Sequence, residues 1–199
     1  MESFDGGLSI FGHDVVSKLN ELNMIVDTAH SSSQTVLDTV KASNKPVCCS
    51  HAGLKSISPT NPRTQSDKAL KAVADSGGVF SVVSTPGALV GGAECTVNDY
   101  LDSIEAAVKV MGIDHVGFAL DHNSAASLKE WFTAPSWNPE AAAKVGVSIW
   151  PWSDGHKGME NQSGYLNLTR GLIARGYKDE DIAKIMGENF MRLTKDVVG

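Results

Sequence analysis

The sequence predicts an α/β fold, in the form of a partial parallel (β/α) barrel with about four strands. Short apolar runs alternate with segments that carry apolar residues at helical spacing. Such alternation indicates a parallel sheet with right-handed crossovers. Three of the four predicted strands lead to a residue capable of chemistry, namely His30, His51 and Asp121. Because ligands and catalytic residues collect at the C-terminal ends of parallel strands, these residues mark the expected working face.

The composition is that of a globular protein, and we expect residues 1–199 to form a single domain. Hydrophobic residues make up 42% of the chain and charged residues 20%, and the formal charge is −6. An acidic chain without a basic cluster is a poor partner for nucleic acid or for an anionic membrane. The sequence shows no signal-like leader and no apolar stretch long enough to span a bilayer, so it predicts a cytoplasmic chain or a piece whose export signal lies elsewhere.

The first half of the chain is predicted to form a strand–helix–strand unit preceded by a helix. The two apolar strands lead to His30 and His51, which we expect at equivalent places, the C-terminal ends of neighbouring strands. Serines before the central helix are suited to cap its start. The predicted elements are a loop at 1–12, helices at 13–23 and 33–43, and strands at 24–26 and 46–49.

The second half continues the alternation of strands and helices. A polar loop with two prolines, residues 52–67, follows His51 and is placed to contribute substrate contacts. Thr64 with Asp67, and Thr96 with Asp99, are predicted to start helices through capping boxes. The remaining predicted elements are strands at 79–84 and 115–120, the second of which delivers Asp121, and closing helices from residue 165 onward.

Residues 122–163 are predicted to form a long loop without clear periodicity, and this loop contains all four tryptophans. Loops of this length in a compact domain are usually functional or poorly ordered. The loop could cover the site or form a subunit contact, or its tryptophans could simply fold it against the barrel. The four tryptophans are Trp131, Trp137, Trp150 and Trp152.

His30 and His51 form a plausible half of a zinc site, since neutral imidazole is a common zinc ligand. The alternative is that each histidine only caps a nearby loop. The three cysteines, Cys48, Cys49 and Cys95, lack zinc-like or redox spacing. We expect Cys48 and Cys49 to pack as small apolar residues, with a nucleophilic role as the alternative.

Several segments taken together resemble the membrane (renal) dipeptidase family of zinc peptidases. They are DTAH, PVCCSHAG, the proline–arginine loop, HVGFALDHN, and the tail from LTRGLIARGY to IMGENFMRL. The resemblance implies a (β/α) barrel with a binuclear zinc site that hydrolyses dipeptides. Some members of that family act on N-acyl amino acids or β-lactam-like amides, so the resemblance extends the expected substrates to these classes.

The resemblance assigns roles to individual residues. His30 and His51 resemble the two histidines that hold one zinc, and Arg63 resembles the arginine that binds the free carboxylate of the substrate. Asp121 resembles the acid/base that carries the proton between the attacking water and the departing amine. Asn123 stands where the family commonly has a second acid, and it is expected to contact the substrate through hydrogen bonds.

The sequence departs from the family by lacking its first metal-binding pair. The family holds its first zinc with a His-x-Asp pair and bridges the two metals with a glutamate from a later strand. This chain has no His-x-Asp pair. His13 and Asp14 are adjacent, without a residue between them, and they lie in a predicted helix. The remaining segments match strands five to eight of the barrel. We therefore expect the C-terminal half of a metallodipeptidase, with at most a partial zinc site and little activity alone.

Two other functions stay open at the level of sequence: a non-catalytic relic that acts as a binding or assembly module, and a different metal-dependent barrel amidohydrolase. A half barrel would also have two unpaired strand edges, with the apolar runs 24–26, 46–49 and 79–83 facing water. The sequence therefore predicts a homo-oligomer, or pairing with a missing N-terminal half.

Overall fold

A computed structural model of the chain describes residues 5–90, 95–121, 157–159 and 162–199. These residues form a parallel sheet with helices, which confirms the predicted α/β class. The helices are α1 (Ile10–Glu21), α2 (Ser33–Ala42), α3 (Asp67–Asp75), α4 (Val97–Met111), α5 (Tyr165–Ala174), α6 (Asp179–Ala183) and α7 (Asn189–Val198), with a π-helical turn, Lys184–Glu188, between α6 and α7. The strands are β1 (Val26–Asp27), β2 (Val47–Leu54), β3 (Thr64–Gln65), β4 (Val79–Val83) and β5 (Val116–Ala119).

The sheet has the order β1-β2-β4-β5, and every pairing within it is parallel. The short strand β3 pairs with the end of β2, where Gly53 lies opposite Thr64. Because all the strands run the same way, their C-terminal ends lie at one end of the sheet. The predicted site residues meet at that end.

Side-chain caps explain where the helices begin. Thr96 and Asp99 form the predicted capping box at the start of α4. The prediction of Thr64 as a cap is wrong, because Thr64 belongs to β3 and Ser66 accepts from the Ala69 N–H instead. Helix α1 begins earlier than predicted, since the Ser9 hydroxyl accepts from the Gly12 N–H. The predicted loop at 1–12 is therefore shorter.

The sheet is covered on both faces. On one face, Cys49 and Phe80 belong to a core that includes apolar side chains of α2, α3 and α4. On the other face, Cys48 and Val79 pack against Leu193 and Val197 of α7. Neighbouring strand residues alternate between the two cores, as the pleat of a strand requires.

The prediction that the apolar strands face water is therefore wrong for most of their length. Val47, Cys48 and Cys49 are at most 1% exposed, and Val79 and Val83 are equally buried. The physical reason is the return of α7 across the second face. Of the run at 24–26, Val26 is buried and Met24 is 50% exposed.

The C-terminal segment also makes hydrogen bonds at the N-terminal ends of the strands. The Asn189 amide donates to the carbonyls of Ile113 and Val116, each at 2.8 Å. The Arg192 guanidinium donates to the Gly77 carbonyl at 2.8 Å, and the Lys45 ammonium donates to the Val197 carbonyl at 2.8 Å. These bonds close the end of the sheet opposite the site.

The cysteines behave as core residues. Cys48, Cys49 and Cys95 are all buried and unbridged. Burial raises the pKa of the Cys49 thiol to about 12 and raises the pKa of Cys48 as well. Both thiols therefore stay protonated at neutral pH, which favours packing over nucleophilic chemistry.

Two of the predictions fall on parts of the chain that the structure does not describe. The four tryptophans lie outside the described residues, and so do Asn123 and nearly all of the predicted loop at 122–163. Across the described ranges, none of the helices combines the length and the apolar character that crossing a bilayer requires.

Candidate metal centre

His30 lies in a tight turn after β1 rather than directly at the end of the strand. The Asp27 carboxylate accepts from the Ala29 N–H at 3.0 Å, and the Thr28 carbonyl accepts from the Ser31 N–H at 3.1 Å. His30 itself has φ 64°, a left-handed conformation that is uncommon for a residue with a side chain. The turn therefore determines the direction of the imidazole.

His51 lies inside β2, three residues before its end, so its predicted equivalence with His30 is wrong. Strand β2 advances from Cys49 to Ala52 while its partner advances only from Phe80 to Val82, which leaves one extra residue in β2. A bulge of this kind redirects side chains and is common beside active sites. The irregularity in register, rather than the end of the strand, therefore places His51 beside the other site residues.

Arg63 is held by the loop that precedes β3. Its N–H donates to the Asn61 side-chain carbonyl at 2.9 Å, and its carbonyl accepts from the Gly53 N–H at 3.1 Å. Asp121 follows β5 after Leu120, as predicted, and has φ 51°. The Ser84 hydroxyl donates to the Leu120 carbonyl at 2.9 Å and so holds the chain just before Asp121.

The structure brings His30, His51, Arg63 and Asp121 together. The Nε2 atoms of His30 and His51 are 2.9 Å apart, just under the 3–4 Å expected for two nitrogens that share a zinc ion. The Asp121 Oδ2 atom lies 3.9 Å from His51 Nε2 and 3.4 Å from Arg63 Nη2. Potential ligand atoms of the two histidines and Asp121 all lie within 4.8 Å of one another.

Electrostatics keep His30 neutral. Burial lowers the pKa of His30 below its usual 6.5, and the positive charge of Arg63 lowers it further. The Arg63 guanidinium donates to His30 Nε2 at 2.8 Å, so this nitrogen presents a lone pair toward the cluster. Two imidazole nitrogens and a carboxylate oxygen form a donor set that fits zinc. Metal binding at His30 Nε2 would require the guanidinium to move away.

Three further residues organise the site, and the sequence analysis did not identify them. Asp27 and Ser50 make hydrogen bonds beside the two histidines. In the sequence, the one signal for Asp27 is that an aspartate two residues before Ala29 can form a turn with its N–H. Gln65, 1% exposed, donates to the Ser31 carbonyl at 2.7 Å. It thereby ties the Arg63 loop to the His30 turn. A buried glutamine between two loops leaves no periodic signal in the sequence.

Comparisons with known proteins match almost the whole chain to one family. The family described as membrane dipeptidase (peptidase family M19) matches residues 1–144 and 141–198. The dipeptidase tcpJ of Claviceps purpurea (strain 20.1) is 26% identical over 192 residues, which cover 96% of this chain and 39% of that protein.

Two solved structures are also similar to almost the whole chain. An amidohydrolase from Pseudomonas aeruginosa is 30% identical with a TM-score of 0.85, and the match covers 99% of this chain and 59% of that one. The probable dipeptidase PvdM from Pseudomonas aeruginosa is 25% identical with a TM-score of 0.77, over 97% of this chain and 55% of that one. The chain thus spans roughly two-fifths to three-fifths of the length of these relatives.

Proposed function

Because this chain belongs to the membrane dipeptidase family (peptidase family M19), we propose that it contributes one half of the active site of a zinc-dependent dipeptidase. The single observation that carries the proposal is the 2.9 Å separation of His30 Nε2 and His51 Nε2, with Asp121 beside them. Zinc usually takes three protein ligands and a water in catalytic sites. The cluster supplies two imidazoles once Asp121 is assigned to proton transfer, so we propose that further ligands come from a complementary barrel half.

Each residue of the cluster has a distinct role in this proposal. His30 and His51 hold the ion, which when bound polarises the scissile carbonyl and activates water. Asp121 is 40% exposed, which leaves its carboxylate free to carry a proton from water to the leaving amine. Arg63 reaches both His30 and Asp121, so a substrate carboxylate bound to its guanidinium would hold the peptide bond close to the metal.

Zinc binding by the chain alone is the direct test of the half-site. We expect zinc, titrated by isothermal calorimetry, to bind the 199-residue chain weakly and with one-to-one stoichiometry. His51→Ala should abolish the heat of binding. His13→Ala removes a histidine of α1 outside the cluster, and it should leave the heat unchanged. Equal binding by both variants would contradict the proposed site.

Arg63→Ala tests the role of the guanidinium in a catalytically complete assembly, prepared by adding the N-terminal half of a family member. We expect KM for dipeptides to rise about 30-fold, because one charge-assisted interaction is worth about 2 kcal/mol. KM for amides without a free carboxylate should hardly change. The control is Arg170→Ala, because Arg170 is an exposed residue of α5 whose guanidinium contacts Asn167. An equal effect on both substrate classes would exclude carboxylate recognition by Arg63.

A second candidate is hydrolysis of another amide substrate, favoured by the 30% identity to the Pseudomonas aeruginosa amidohydrolase. The same complemented assembly distinguishes the two candidates. Turnover of N-acyl amino acids without turnover of dipeptides would favour the second candidate.

A further inference from the structure

We infer that Asp27, acting through Ser50, is a positioning residue that sets the tautomer of His51 and aims its Nε2 lone pair into the metal centre. The inference rests on the proposed function and deepens it. Asp27 ends β1 and lies between the turn that carries His30 and the part of β2 that carries His51. Neither the family resemblance nor the ligand set stated above gives it a role.

One carboxylate serves both histidine-bearing segments. Asp27 Oδ1 accepts from the Ala29 N–H at 3.0 Å and from the Ser50 N–H at 2.9 Å. Ala29 precedes His30, and Ser50 precedes His51. Asp27 Oδ2 accepts from the Ser50 hydroxyl at 2.6 Å, a short distance typical of a bond to an ionised acceptor. Asp27 therefore fixes the relative position of the His30 turn and the β2 bulge.

The direction of these hydrogen bonds determines the proton on His51. An ionised carboxylate can only accept hydrogen bonds, and a serine hydroxyl has a single proton to donate. Because that proton goes to Asp27 Oδ2, the Ser50 oxygen must act as acceptor toward His51 Nδ1, which lies 2.9 Å away. His51 then carries its proton on Nδ1, and its Nε2 presents a lone pair 2.9 Å from His30 Nε2, which itself accepts from Arg63. Two lone pairs this close repel each other unless a cation binds both, so the arrangement favours a metal ion at this point. Metal-binding histidines depend on this kind of outer support.

Asp27→Asn tests the inference because it reverses one hydrogen bond and retains the others. The two N–H donors at Oδ1 hold the amide oxygen in place, so the new NH₂ group faces Ser50 and donates to its hydroxyl. The Ser50 hydroxyl proton is then free to go to His51 Nδ1, and the His51 proton must move to Nε2. In the metal-free full chain, two-bond ¹H–¹⁵N spectra distinguish these tautomers. His51 is identified among the six histidines by its loss in His51→Ala.

We expect the wild-type chain to show His51 protonated on Nδ1 and Asp27→Asn to show it protonated on Nε2, with zinc affinity lowered about 10- to 100-fold. Asp75→Asn, the same substitution at an exposed site in α3, should change neither readout. An Nε2–H tautomer in the wild type, or an unchanged tautomer in Asp27→Asn, would overturn the inference. A wild-type chain that binds no zinc would count against the proposed function alone, since the tautomer is measured without metal.

If Asp27→Asn does not fold, substitutions of Ser50 test whether the hydrogen bonds from Asp27 through Ser50 set the tautomer of His51. Ser50→Thr keeps the hydroxyl, and Ser50 lines a cavity of about 210 Å³. We expect Ser50→Thr to keep the Nδ1–H tautomer and near-normal zinc affinity. Ser50→Ala leaves His51 Nδ1 without its acceptor and should produce a mixture of tautomers. A pure Nδ1–H tautomer in Ser50→Ala would show that the relay does not control His51.

Discussion

His30 and Asp121 share an unusual backbone conformation, with φ values of 64° and 51°. Left-handed torsions cost roughly 1–2 kcal/mol for a residue with a Cβ atom. Such strain tends to occur at functional sites, where the surrounding structure maintains it. Here Asp27 and Thr28 hold the turn at His30, while Ser84 holds the chain before Asp121. The described part of the chain thus places strained backbone at two of the four clustered side chains.

The strain at His30 can be measured by comparing two substitutions that both remove the imidazole. We expect His30→Gly to be more stable than His30→Ala by about 1 kcal/mol, because glycine adopts positive φ without a steric penalty. Urea unfolding gives the difference. The control pair is Lys109→Gly and Lys109→Ala in α4, where alanine should be the more stable by up to about 1 kcal/mol. If alanine were also the better residue at position 30, the turn would carry no strain.

At the scale of elements, the sequence shows which segments form strands and helices but not how the strands register. Apolar periodicity and capping residues locate α2 and α4 within a residue or two, because these signals are local. The bulge in β2 arises from pairing with β4, a non-local contact that no short segment encodes. For the same reason, the sequence identifies His51 as a site residue but misplaces it relative to its strand.

The π-helical turn Lys184–Glu188 is joined to β5 by an ion pair near the start of the strand. Lys184 Nζ lies 2.7 Å from Asp114 Oδ1, and this hydrogen bond lowers the pKa of Asp114 below its usual 3.8. A lowered carboxyl pKa means that the pair adds stability above the unfolded-state pKa. The contribution is lost as the pH falls through the lower folded-state value.

Asp114→Asn should therefore lower Tm at pH 6 by no more than about 3 °C, since the pair is largely exposed. The difference from wild type should shrink as the pH falls below 4 and vanish once Asp114 is protonated in the folded chain. Calorimetry from pH 6 to pH 3 measures this trend. Asp75→Asn, which breaks an exposed pair with Lys71, should show a smaller difference throughout. A difference that stayed constant with pH would contradict the role of the Asp114 charge.

At the scale of the whole molecule, α7 covers the second face of the sheet. It buries Cys48 and Val79 and closes the N-terminal ends of the strands. Sequence reasoning finds α7 but not its position, because an amphipathic helix does not specify which surface it covers. The resemblance predicts the barrel class and the end of the sheet that carries the site. Only the structure shows that α7 covers the second face.

The sheet still has two edges, and we expect them to drive association with a second copy. Within the described residues, β1 pairs only with β2 and β5 only with β4. Phe190 and Met191 of α7 are also 44% and 73% exposed. Light scattering at micromolar concentration should give a mass above 21.1 kDa. A 21.1 kDa monomer with a cooperative melt would contradict this prediction and would show that β1 is short enough, and β5 well enough covered by Asn189, to prevent pairing.

The bond between the Lys45 ammonium and the Val197 carbonyl joins positions 152 residues apart. Ribosomes add about 5–20 residues per second, so roughly 8–30 s separate the synthesis of these two positions. During that interval Cys48 and Val79 lack the helix that later shields them. During this interval the nascent sheet is exposed to chaperones or to unwanted pairing. The second face can fold only after α7 has been synthesised, so the folding yield depends on the stability of the uncovered sheet until then.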